Sequence, residues 1–112
     1  MIEEMIKRLM GQLYSGASSI SYKGIYFQVK DLEYASPIDS KYSKYIYIDI
    51  PKSLGLETDY VSVAYEKTKS SRKTACFRLA TYFVKEILPK IDFKLKNIMH
   101  NEEIDKILEV LD

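Results

Sequence analysis

The chain of 112 residues is 46% hydrophobic and 29% charged, with 10 Tyr, 4 Phe and no Trp, a composition that supports a packed core and argues against disorder. Seventeen basic residues stand against sixteen acidic ones for a net charge of +1, so the total charge points to neither nucleic acid nor an acidic membrane. The single Cys76 rules out an internal disulfide, and no apolar run approaches the ~20 residues of a membrane span.

One domain is expected at this length. The N-terminus mixes acids and bases and lacks the basic-then-apolar pattern of a secretory leader, so a soluble intracellular protein is expected. Charge is unevenly placed. Residues 101–112 hold Glu102, Glu103, Asp105, Glu109 and Asp112 against Lys106 alone, which makes the tail acidic and the body basic. With 14 Lys, 13 Ile, two Asn and two Gln, the composition fits a hot source or an AT-rich genome equally well.

Ile2, Met5, Ile6, Leu9, Met10, Leu13 and Tyr14 recur at helical spacing and predict an amphipathic helix. Ser15, Gly16, Ser18 and Ser19 then read as a linker. From Ile25 the period becomes two, with Ile25, Phe27 and Val29 alternating with Tyr26, Gln28 and Lys30. Turn chemistry follows between Ala35 and Ser40. A second strand sets Ile46, Ile48 and Ile50 against Tyr45, Tyr47 and Asp49, and a third runs from Tyr60 to Glu66.

Ser70 or Ser71 is expected to cap a helix whose stripe runs from Ala75 through Leu79 and Phe83 to Leu88, where Pro89 is expected to stop it. Ile91, Phe93 and Leu95 alternate with polar residues, as a short fourth strand or an extended link would. Asn101 caps a last helix carrying Ile104, Ile107, Leu108 and Leu111. The order α-β-β-β-α-(β)-α predicts an α+β fold: a three- or four-stranded, mainly antiparallel sheet with helices packed on it.

No catalytic motif is complete. His100 reads as a solvated loop residue, and Cys76, on an apolar stripe, as a small buried hydrophobe. Asp31, Glu33 and Asp49 are the acids a metal-dependent hydrolase would draw on, but such combinations are common among sixteen acidic residues. A non-enzymatic protein without cofactor or metal is the expectation. The run from Lys67 to Lys73 has Lys67, Lys69, Arg72 and Lys73 and no acid, and it leads into a helix N-terminus. Cations oppose the helix dipole there, whereas a phosphate would gain backbone donors, the dipole and the cationic side chains together. The plainer reading is a solvated turn in a lysine-rich chain.

The stretch from Ser71 to Ala80 resembles the Ser-Lys-Lys-x-Ala-Lys-x-x-Ala-Ala opening of the last helix of double-stranded RNA-binding domains, which share the order α-β-β-β-α. Arg72 and Lys73 match the first two basic positions, Ala75 the packed alanine, and Leu79 with Ala80 the small apolar pair. Cys76 replaces the third basic residue, and Ser36-Pro37-Ile38-Asp39 only echoes the family's Gly-Pro-x-His loop. The resemblance implies phosphate contacts from the helix start across a major groove. It further implies minor-groove contacts from Lys7, Arg8 and Gln12 on the first helix, and from the loop with Lys41 and Lys44 beside it.

Tyr26, Tyr45 and Tyr47 lie on strand faces opposite the aliphatic residues, as a core rim, a protein interface or a platform for unpaired bases. The acidic last helix is too short to stand alone, so it either closes the monomer or docks on a partner. Two functions follow as expectations. One is a nucleic-acid-binding protein, for duplex RNA or DNA, that forms a homodimer through this helix or an edge strand. The other is a protein-interaction module or inhibitor that uses the tyrosine face and the acidic helix.

Overall fold

The computed structural model describes residues 1–33 and 44–97. The loop Ser36–Asp39, Lys41, His100 and the acidic last helix lie outside them.

Helix α1 (Ile2–Tyr14) buries Ile6, Leu9 and Leu13 and places Glu3 and Glu4 in its first turn, where acids suit the dipole. Strands β1 (Ser19–Tyr22), β2 (Ile25–Glu33), β3 (Lys44–Asp49) and β4 (Tyr60–Tyr65) form an antiparallel sheet in the order β1-β2-β3-β4. The fold is α+β, as the patterning predicts, with the sheet continuous and helices on one face. No helix of the described residues is long and apolar enough to cross a membrane.

The fourth strand is not where the alternation at Ile91 to Leu95 put it. It is β1, which starts at Ser19, the last residue read as linker, and fills the stretch before Ile25 that the patterning left unassigned. Tyr22 pairs with Ile25 across a two-residue turn in which Lys23 and Gly24 both have positive φ, 51° and 82°, as a type I′ turn requires. Lysine is a poor residue for that conformation, which is why the turn is inconspicuous in sequence.

Helix α2 (Lys69–Tyr82) is capped by Thr68, whose hydroxyl accepts from the Ser71 N–H at 3.1 Å, while the Ser71 hydroxyl accepts from the Glu66 N–H at 2.9 Å. Neither Ser70 nor Ser71 is the cap itself. Nor does Pro89 end the helix. A π turn, Phe83–Ile87, intervenes, with the Leu88 N–H bonded to the Phe83 carbonyl, and residues 88–97 continue as α-helix. Proline has no N–H for the Lys85 carbonyl and its ring would collide with it, and the wider turn accommodates both. Ile91 is therefore a core residue on a helix. Asp92 accepts from the Tyr22 hydroxyl at 2.8 Å and pairs with Lys23 at 2.7 Å, tying this helix to the β1–β2 turn.

The core lies between the helices and one sheet face. Ile20, Phe27, Val29, Ile46, Ile48, Val61 and Tyr65 come from the sheet, and Leu13, Leu79, Phe83, Ile87 and Ile91 from the helices. The two aromatic rings at its centre, Phe27 and Phe83, meet edge to face with centroids 5.2 Å apart. Met5 and Leu9 of α1 share a cleft with Phe83, Val84 and Leu88, while the end of α1 meets the start of α2, so the two helices run antiparallel.

Candidate functional site

At the α2 start, the cations do different work. Lys69 and Lys73 are exposed, and the first turn of α2 contains no acid. Arg72 points the other way. Its Nε donates to Asp31 at 2.7 Å, and its two terminal nitrogens donate to the carbonyls of Tyr14 (2.7 Å) and Leu13 (3.0 Å). Its guanidinium also lies 5.6 Å from the Tyr14 ring centroid.

Those two carbonyls are among the last of α1, where the Leu13 carbonyl otherwise accepts only from the Gly16 N–H at 3.2 Å and the last turn has no basic residue of its own. Arg72 thus supplies both hydrogen bonds and the positive charge that suits a helix C-terminus. Three of its five N–H donors are held by the protein, so the guanidinium serves the fold at this position. Asp31 also accepts from the Tyr65 hydroxyl, so its carboxylate joins β2 to β4 and α2, and Arg72 carries the link on to α1.

The electrostatics follow from the geometry. Burial pushes the Tyr65 hydroxyl above the ordinary tyrosine range, the Asp31 carboxylate pushes it further, and Arg72 only partly opposes them. Desolvation is the largest single influence and works against the Arg72 charge. The hydrogen bond and the charge of Asp31, with smaller contributions from Cys76 and Tyr65, together outweigh it and the pKa rises. Burial likewise raises the Cys76 thiol, which is fully enclosed on the inner face of α2. Because the folded state favours neutral Tyr65, its stabilisation is complete below the ordinary tyrosine pKa of about 10 and is lost as pH rises beyond it. In denaturant unfolding between about pH 8 and 11, the stability difference between wild type and Tyr65→Phe should shrink above about pH 10. A difference constant with pH would refute the coupling.

The other cations are spread out. Lys67 pairs with Glu33 at 3.2 Å, both largely exposed. Lys44 sits beside Glu33 and Tyr65 in the sheet register, at the same end of the sheet. Arg8 and Gln12 line the cleft of about 240 Å³ between α1, β1 and the π turn, and Lys7 is exposed elsewhere on α1. The acids that a metal site would draw on do not converge. Asp49 is on the opposite sheet face from Asp31 and Glu33, and no three metal-ligating side chains group together among the described residues.

The outer sheet face carries the tyrosines. Tyr45 and Tyr47 stack with centroids 5.8 Å apart, and Tyr60 meets Tyr47 edge-on at 6.0 Å. Tyr26 stands apart on β2, opposite Ser21 and 72% exposed. Tyr60 is a member of the row that sequence reasoning misses, although the period-two spacing of β4 places it on this face.

No protein-family model, curated protein or solved structure matches this chain.

Proposed function

We propose that this chain is a non-enzymatic nucleic-acid-binding protein that holds phosphates at the N-terminus of α2 with Lys67, Lys69 and Lys73. The observation carrying this reading is the exposed Lys69 and Lys73 pair on a helix start with no acid in its first turn, one helical turn apart on the same side. An anion there gains from the dipole that the lysines oppose. The resemblance to double-stranded RNA-binding domains supports a duplex ligand at Lys73, with Arg72 reserved for the fold and Lys44 at the same end of the sheet.

Binding of labelled single- and double-stranded RNA and DNA across a salt series tests this. Lys69→Ala/Lys73→Ala should weaken binding to all sequences and reduce the slope of log affinity against log salt by about one for each phosphate no longer neutralised. Absence of saturable binding by the wild type at low salt would sink the reading. The Tyr45, Tyr47 and Tyr60 row favours a second one, a protein partner on the outer sheet face, where tyrosine suits an interface core. Under that reading Tyr47→Ala leaves nucleic-acid binding unchanged and abolishes capture of the protein partner.

A further inference from the structure

The strand β4 is an edge of the sheet, paired only with β3 among the described strands, and its six residues Tyr60–Tyr65 include no charge and no proline. Its pairing with β3 is continuous, with no bulge to twist the edge away. Unprotected edges of this kind are templates for another strand. We propose that β4 pairs antiparallel with β4 of a second copy about a two-fold axis at Ser62, joining two sheets into one.

The backbone fixes which residues take part. The Ile50 N–H donates to the Asp59 carbonyl at 2.8 Å, so the odd-numbered residues of β4 direct their N–H and C=O groups at β3. Tyr60, Ser62 and Ala64 therefore direct theirs at the open edge. Glu66 ends the series, because its N–H is bonded to Ser71 and its carbonyl accepts from the Thr68 N–H. Only one two-fold register uses all three outward residues in both copies: Ser62 opposite Ser62 of the other copy, and Tyr60 opposite Ala64.

Side chains and charge agree with that register. On the outer face, the 57% exposed Tyr60 meets Ala64 of the other copy, whose neighbour on β3 is Tyr45, so the tyrosine row continues across the axis. Small residues at 62 and 64 leave room for it. The approach to β4 is acidic, with Glu57 and Asp59, and its exit is basic, with Lys67 and Lys69. Antiparallel self-pairing brings the acidic approach of one copy towards the basic exit of the other, whereas parallel pairing would align like charges. Beside the edge, a groove of about 440 Å³ is lined by Tyr60, Val63, Arg78, Leu79 and Tyr82, room into which α2 of the second copy can pack.

Sedimentation of the full chain should give the mass of two copies. Ser62→Cys should then oxidise to a covalent dimer, because Cα atoms of a hydrogen-bonded antiparallel pair lie about 5.5 Å apart, within disulfide reach. Ala64→Cys should not, since its two copies would be about 13 Å apart. Ser62→Lys, which opposes two ammonium groups on the axis, should weaken the dimer by about fivefold or more. A monomer at all concentrations, or a dimer in which Ala64→Cys cross-links as readily as Ser62→Cys, would overturn the proposal. These variants leave the α2 lysines in place, so the nucleic-acid titrations are read independently.

Discussion

Phe83→Ala is expected to lower the unfolding free energy by about 3–5 kcal/mol, the largest effect expected of a single truncation in this fold. Phe83 is 2% exposed and meets the fully buried Phe27 edge to face, which makes it the point where the π turn, β2 and α1 come together. Its removal takes away the transfer energy of a large ring and leaves a cavity that a sheet and two helices cannot close without shifting. Against a typical domain stability of about 5–15 kcal/mol, that loss brings the variant near the unfolding threshold. Guanidinium unfolding monitored by circular dichroism measures it. A double-mutant cycle with Phe27→Ala should give a coupling of about 0.5–1.5 kcal/mol for the edge-to-face pair itself. A loss below about 1.5 kcal/mol would show that Phe83 is not a keystone of the core.

Arg72→Ala comes second, with an expected loss of about 2–4 kcal/mol. Removing the guanidinium leaves the Asp31 carboxylate with Tyr65 alone, and strips two donors and a charge from the end of α1. The figure is set below that of a fully buried pair because the two side chains remain 23% and 26% exposed. Arg72→Lys should recover only part of the loss, since an ammonium cannot fork between a carboxylate and two carbonyls in fixed directions. Chemical unfolding of Arg72→Ala, Asp31→Ala and the double variant checks this, and a coupling near zero would refute it. The functional corollary is direct. Weakened nucleic-acid binding by Arg72→Ala has to be corrected for the unfolded fraction, whereas Lys69→Ala/Lys73→Ala does not disturb this network.

The sheet is legible in the sequence wherever one face is buried and the other is not. Period-two alternation identifies β2, β3 and β4 and assigns their faces correctly, because side-chain direction in a strand depends on nothing but parity. β1 escapes notice because Ser19–Tyr22 has only Ile20 as a strong apolar residue, and its turn uses Lys-Gly where Asn-Gly would be obvious. Residues 91–95 alternate by composition, yet Ile91 and Leu95 also stand one helical turn apart, and the tertiary bond from Asp92 to the hairpin goes with the helix. Pro89 adds to the ambiguity, since a proline inside a helix usually ends it and here a π turn absorbs it.

The candidate site is half legible. Charge type and position on a helix start can be read from the chain, and they point to Lys69 and Lys73. Which cation turns inward cannot, because it depends on Asp31, 41 positions away, and on Leu13, 59 positions away. The absence of a basic residue in the last turn of α1 is the one trace in the sequence that its carbonyls need a donor from elsewhere.

The π turn has a reach beyond its own five residues. Were Phe83–Ile87 wound as ordinary α-helix at the same chain length, everything downstream would rotate by about 100° around the axis. Ile91 would leave the core, and Asp92 would swing away from Tyr22 and Lys23. The angular phase of residues 88–97 is therefore set by the accommodation of Pro89, and with it the anchorage of the β1–β2 turn. A single pyrrolidine ring outside the sheet governs whether the sheet's first hairpin is held to the helical layer.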